Sequence, residues 1–134
     1  MHRQLISSGS PWELTVGYSR AVRVGERVFV AGTAPKFDDG ECPDDAGTQA
    51  RRCFEIIDEA LDAAGSSLRH VVRSRMYLVS ADDFEPIGSV HGEFLGDALP
   101  ANTTVVVASL LDPRWKVEVE VEAVIPNDRS RDRH

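Results

Sequence analysis

Hydrophobic and polar positions alternate along this chain with two different periods, and these predict strands and helices in turn. A period of two predicts strands over 21–24, 27–31, 70–80, 103–108 and 115–125, with a further short strand near 4–7. A spacing of three and four predicts helices over 46–64 and 83–95. Gly25-Glu26 separates the first two strands of this series, and a two-residue turn with glycine first is typical of a type II′ hairpin.

The first helix has the clearest pattern. Asp44 or Asp45 is expected to cap its start, and Gly65 supplies a left-handed residue at its end. Its apolar stripe consists of Ala46, Ala50, Cys53, Phe54, Ile57, Leu61 and Ala64.

The element order is β-β-α-β-α-β-β, which predicts an α+β fold with one mixed sheet and both helices on one face. The second face of such a sheet would then be uncovered. Val28, Phe29 and Val30 are consecutively apolar, which is typical of a strand covered on both faces. We therefore expect the open face to pack on other copies of the chain.

Length and charge narrow the class of protein. The 134 residues predict a single domain over 1–126, followed by a polar tail at 127–134. The net charge of −7 weighs against binding to nucleic acid or to an anionic membrane surface. Two cysteines, no apolar run of membrane-spanning length and no signal-peptide pattern predict a cytoplasmic protein.

The last predicted strand carries valines on one face and a row of glutamates on the other. Glu118, Glu120 and Glu122 lie two residues apart, so that neighbouring carboxylates are about 6.6–7 Å from each other along the strand. One interpretation is a solvated outer face. The other is a partly buried face at a subunit contact, where one carboxylate has a raised pKa and acts as acid or base. Arg73 and Arg75 share a face of another strand and are positioned to neutralise the row.

The remaining candidates for chemistry are weak. The four histidines show no metal-ligand spacing, and His91 falls on the apolar stripe of the second helix, which is typical of a packed histidine. We expect no metal site. The residue pattern alone leads to an acidic, oligomeric α+β domain with a glutamate row.

Several segments together resemble the RidA/YjgF family, which is also labelled endoribonuclease L-PSP. They cover roughly residues 15–126, and their order and spacing carry the likeness more than any one motif. The segments are GYSRA at 17–21, VFVAGT at 28–33, the helix 49–61 with AAG at 63–65, VVRSRMYLV at 71–79, LPANTTV at 99–105 and VEVEA at 119–123.

The resemblance implies a chorismate-mutase-like fold, a homotrimer and ligand clefts between subunits, with no metal or cofactor. In its deaminase branch, a glutamate positions water for hydrolysis of enamines and imines. That glutamate matches Glu120, which is the implied catalytic residue. The implied substrate-binding residues are Tyr18, Ala31, Gly32, Thr33 and Asn102.

Asn102 is a departure, because this branch grips the substrate carboxylate with arginine at that position. Asparagine is neutral and cannot form a charged fork, so ordinary 2-aminoacrylate deamination is expected to be weak. Arg20, Arg73 and Arg75 are possible substitutes. The resemblance leaves three functions open: a C=N hydrolase, a small-ligand-binding module without turnover and, as a remote alternative, a ribonuclease.

Overall fold

A computed structural model describes residues 2–126 of the chain, and the predicted polar tail lies outside this range. Within it the strands and main helices follow the predicted order, preceded by the short first strand. They are β1 (Arg3–Ile6), β2 (Ala21–Val24), β3 (Arg27–Thr33), α1 (Ala46–Ala63), β4 (Val71–Leu78), α2 (Phe84–Leu95), β5 (Ala101–Val106) and β6 (Val117–Val124). Short helical turns lie at Glu13–Gly17, Leu68–His70 and Ala81–Asp83.

The described strands form one mixed sheet in the order β1-β2-β3-β6-β4-β5. Only the β4–β5 pair is parallel among these neighbours, because α2 connects the two strands as a crossover. Both helices lie on one face, and Phe54 of α1 stacks on Phe94 of α2. The predicted α+β fold class is confirmed.

The turn and helix-end residues predicted from the sequence lie where they were expected. Gly25 takes a φ of +59° while Glu26 does not take a positive φ, which fits the predicted type II′ turn. The Asp45 carboxylate accepts a hydrogen bond from the Thr48 backbone N–H at 2.9 Å and caps α1. Gly65 follows that helix with a φ of +88°.

The two faces of the sheet differ sharply in burial. The helix-facing side chains of β3 and β6, among them Val28, Val30 and Val119, are buried in the core. On the open face Phe29 is 38% exposed and Leu5 is 63% exposed. The consecutive apolar run in β3 is therefore covered by this chain on one side, and its other side is open in the single chain.

Two strands differ from the sequence prediction. A register irregularity between Val71 and Arg73 makes Val71 the buried residue and leaves Val72 exposed, so the regular period of two predicted over 70–80 is interrupted at Val72. The cause is an extra residue in β4, which reverses the alternation at that point. β5 begins two residues earlier than the predicted strand, and Asn102 consequently lies within a strand.

Candidate ligand-binding site

A bulge in β3 brings three of the candidate residues together. Val30 pairs with Val121 and Thr33 pairs with Val119, so Ala31 and Gly32 both lie opposite Glu120 of β6. Bulges re-aim side chains and backbone groups, and they are common beside functional sites. Here the bulge places two backbone units of β3 beside a single carboxylate on the open face.

The Glu120 carboxylate is held by two neighbours on β4. Its Oε1 accepts a hydrogen bond from the Tyr77 hydroxyl, and its Oε2 lies 3.5 Å from Nη1 of Arg75. The hydrogen bond to Glu120 is the main cause of a raised pKa at Tyr77, so the phenol stays protonated and donates. The Glu120 side chain is 30% exposed, and solvent or a ligand can therefore reach it.

Tyr18, Ala31 and Glu120 line the same open concavity, which has a volume of about 1040 Å³. The segment before β2 forms another part of its wall. In that segment Glu13 accepts hydrogen bonds from the backbone N–H and the hydroxyl of Ser8, and these lower the pKa of Glu13 to about 2. The anchored turn leaves Leu14 93% exposed beside the concavity.

Glu118 and Arg20 flank the bulge at Gly32. A Cβ built on Gly32 would lie 2.5 Å from Oε2 of Glu118, so glycine lets this carboxylate approach the backbone. Arg20 donates from Nη2 to the Gly32 carbonyl at 2.6 Å, and its buried Nε has no hydrogen-bond partner among the described residues. Burial raises the pKa of the Glu118 carboxyl, while Arg20 opposes the shift and Glu120 adds to it.

Thr33 and Asn102 lie on the helix-facing side of the sheet, away from Glu120. Thr33 is fully buried, and its hydroxyl donates to the Ala31 carbonyl at 2.8 Å. The Asn102 Nδ2 donates to Oγ of Ser74 at 3.0 Å, on the helix-facing side of β4. Within one chain, Asn102 and Glu120 are therefore separated by the sheet.

Arg73 and Arg75 of β4 both lie near carboxylates of the glutamate row. Arg75 lies 3.5 Å from Glu120 and 3.9 Å from Glu122, and Arg73 lies 3.9 Å from Glu122. The expectation that these arginines neutralise the glutamate row is confirmed for Glu120 and Glu122, whereas the cation near Glu118 is Arg20. Because their guanidinium groups already face carboxylates on the open face, they are poorly placed to replace an arginine at Asn102.

Within residues 2–126 no group of three or more His, Cys, Asp or Glu side chains is arranged to hold a metal ion. In the same range no helix is both long enough and apolar enough to cross a membrane.

Sequence reasoning missed two interactions at the site. The alternation of β4 placed Tyr77 on the same face as Arg75, so the contact between Tyr77 and Glu120 was open to prediction once β4 and β6 were paired. The hydrogen bond of 2.8 Å between Ser74 and His91 joins β4 to α2, and it depends on how the helix packs. No sequence signal marks that bond in advance.

Comparison with known proteins identifies the family. The family model described as endoribonuclease L-PSP matches residues 11–125 of the chain. An uncharacterized protein of Streptomyces coelicolor is 39% identical over 119 residues, which cover 88% of this chain and 89% of the relative. The chain therefore belongs to the RidA/YjgF family.

Solved structures are similar to this chain in fold, and the first named here is described as a member of the same family. A Mycobacterium tuberculosis member of the YjgF/YER057c/UK114 family superposes with a TM-score of 0.85 at 39% identity, covering 92% of this chain and 100% of the other. E. coli TdcF, solved with bound serine, superposes with a TM-score of 0.77 at 28% identity, covering 91% of this chain and 94% of the other.

Proposed function

We propose that this protein is a cofactor-free hydrolase of small C=N compounds, enamines or imines, whose clefts form between the subunits of a homotrimer. The observation that carries the proposal is the β3 bulge, which sets Ala31 and Gly32 opposite a Glu120 carboxylate held by Tyr77 and Arg75. A fixed carboxylate at the wall of an open concavity is suited to ordering a water molecule.

The need for an assembly comes from the positions of the candidate residues. Asn102 lies on the helix-facing side of the edge strand β5, whereas Tyr18 and Glu120 line a concavity that includes Phe29 and Val22 on the open face. In a closed ring of copies, the β5 edge of one subunit would meet the concavity of the next. A partner copy would also cover the apolar half of the open face.

The proposed reaction needs only water and proton transfers. Glu120 would orient a water molecule and accept its proton as the oxygen attacks the C=N carbon. The protonated Glu120 would return that proton to the nitrogen, which gives a carbinolamine. The carbinolamine hydroxyl would then lose its proton to Glu120 and on to the nitrogen, so that the C–N bond breaks, ammonia leaves and a C=O bond forms. The Tyr77 hydroxyl would keep the carboxylate in one orientation through this sequence.

A small polar ligand is suggested by the TdcF structure, which contains serine. The position that the resemblance assigns to a carboxylate-binding arginine is Asn102 here. We therefore propose that 2-aminoacrylate is a poor substrate, because an amide cannot neutralise its carboxylate.

A ligand-binding module without turnover is the second candidate. Both oxygens of Glu120 already have protein partners, a phenol and a guanidinium, which favours a structural or ligand-binding role over proton transfer. The ribonuclease function in the family description is a weaker proposal for this chain, given its net charge of −7. The cytoplasmic location stays a prediction from the sequence.

Glu120→Gln tests the proposed reaction because it keeps the shape of the side chain and removes the base. The substrate would be an imine generated in situ by an amine oxidase. Hydrolysis would be followed as the loss of semicarbazone when semicarbazide competes for the same imine. We expect a rate loss of about 10²–10⁴-fold with the trimer intact by light scattering.

Glu122→Gln is the matched control, because Glu122 is on the same strand face and pairs with Arg73 and Arg75. A much smaller loss is expected there. Equal effects of the two substitutions, or no acceleration by the unmodified protein, would favour the binding module. Dissociation of the trimer by Glu120→Gln would assign that residue to assembly.

A further inference from the structure

We infer that the group recognised at the β5 edge is an uncharged carboxamide, so that the preferred ligands are neutral amides and not carboxylates. The inference rests on the proposed function, since it assumes that Asn102 faces the ligand cleft. It adds the chemical class of the group bound there.

The surface around Asn102 is uncharged. A concavity of about 290 Å³ at this edge is lined, among the described residues, by five apolar side chains and two neutral polar ones, Asn102 and Thr104. Phe84 and Val106 are among the apolar ones. A carboxylate placed here would lose water without meeting a cation, which is costly for a charged group. The free-energy cost of removing a neutral carboxamide from water is much smaller.

The Asn102 amide is fixed by its neighbours. Its Nδ2 donates to Ser74 Oγ at 3.0 Å, and its Oδ1 accepts from the Thr104 hydroxyl at 2.9 Å. Ser74 is fully buried and bonded to Nε2 of His91 at 2.8 Å, which anchors the chain of bonds to α2. Burial lowers the pKa of His91, which favours a neutral imidazole. The Ser74 oxygen has two lone pairs, so it accepts from Asn102 with either tautomer of His91.

These bonds leave one N–H and one lone pair of the Asn102 amide for a ligand. An amide offers two N–H donors and an oxygen with two lone pairs, and one of each is used internally. The remaining donor and acceptor belong to adjacent atoms of the same amide. Such a pair is complementary to a carboxamide, which also presents an acceptor beside a donor, whereas a carboxylate presents acceptors alone.

The other side of the proposed cleft carries both carboxylates and guanidinium groups. The concavity at Tyr18 is lined by Arg3 and by the carboxylates Glu13 and Glu120. Glu118 lies beside it at the bulge together with Arg20. The guanidinium of Arg75 is paired with two members of the glutamate row. This half therefore carries charges of both signs, and the uncharged lining at β5 is what disfavours an anionic group there.

Pyruvamide and pyruvate form a matched pair of probes, because they have nearly the same shape and differ in charge. Each would be titrated into the assembled protein, with the side-chain amide signal of Asn102 followed by NMR. We expect pyruvamide to bind at least about tenfold more tightly than pyruvate and to shift the Asn102 signal. In Asn102→Arg the order should reverse, because a guanidinium pairs with the carboxylate.

Ser89→Arg is the control for added charge, since it introduces the same positive side chain at an exposed position of α2. It should keep the order of the unmodified protein. The inference is overturned if pyruvate binds as tightly as pyruvamide, if pyruvamide does not bind at millimolar concentration, or if the Asn102 signal does not move. This binding order does not depend on turnover, so a failure of the proposed hydrolysis would be seen separately in the imine assay.

Discussion

Neighbouring carboxylates on one strand face different surroundings, although the sequence repeats them identically. Glu120 is hydrogen-bonded by Tyr77 and lies near Arg75, whereas Glu118 packs against Gly32 beside the half-buried guanidinium of Arg20. For Glu118, desolvation outweighs the attraction of Arg20 and raises the pKa of its carboxyl. The glutamate row therefore contains side chains suited to different roles.

The raised pKa of Glu118 is tested by the pH dependence of stability in the variant Glu118→Gln. A raised pKa means that the folded state binds the proton more tightly than the unfolded chain. The stability of the protein should therefore fall as pH rises from the ordinary value of 4.5 through the raised pKa of Glu118. We expect the free energy of unfolding of Glu118→Gln, relative to the unmodified protein, to increase across that interval and then level off.

Urea denaturation at fixed protein concentration and a series of pH values would measure this difference. Glu59→Gln, on an exposed position of α1, controls for the change in net charge. If the difference between Glu118→Gln and the unmodified protein stays constant or decreases across that interval, the pKa of Glu118 is not raised and the assigned balance of desolvation and attraction is wrong.

At the scale of elements, β4 is joined to α2 and β5 by side chains as well as by backbone pairing. Ser74 contacts His91 of α2 and Asn102 of β5, and it is fully buried. The bulge at Val72 sets the register in which Ser74 faces the helices. A single hydroxyl thus connects three elements at the edge of the sheet.

Ser74→Ala should destabilise the fold by about 1–3 kcal/mol, because it leaves Nε2 of His91 and Nδ2 of Asn102 without their shared partner. Chemical denaturation would measure the change. Ser89→Ala, at an exposed position of α2, is the control and should stay within about 0.5 kcal/mol of the unmodified protein. A similar small effect for Ser74→Ala would show that water replaces the hydroxyl at little cost.

At the scale of the whole molecule, the open face of the sheet combines an apolar half with a charged centre. Phe29 and Leu5 are exposed on β3 and β1, while the glutamates of β6 face Arg73 and Arg75 of β4. Apolar side chains of this size on one continuous sheet face are typical of an interface. The proposed homotrimer would cover them.

Phe29→Glu should therefore shift the protein from trimer to monomer, since it places a charge in the apolar half of that interface. Light scattering at micromolar concentration would measure the mass. Ser89→Glu adds the same charge to α2 and should remain trimeric. A trimer that survives Phe29→Glu would place the interface elsewhere and would separate Asn102 from Glu120.

The sequence by itself determined the elements and their faces where local spacing carries the information. The stripe of α1, its Asp45 cap and the valine face of β6 all agree with the structure, because helix and strand periods depend on neighbouring residues. The opposition of Arg73 and Arg75 to the glutamate row also followed from alternation. These features need no knowledge of long-range contacts beyond which strands are adjacent.

Tertiary structure alone decided the features that make the site. The bulges at Val72 and at Ala31–Gly32 arise from pairing between distant strands, and each changes which side chains face the core or the concavity. The surroundings of Glu118 and the bonds that fix Asn102 depend on packing between elements far apart in the chain. Burial, charge and hydrogen-bond partners are properties of that packing, so identical glutamates in the sequence become different groups in the fold.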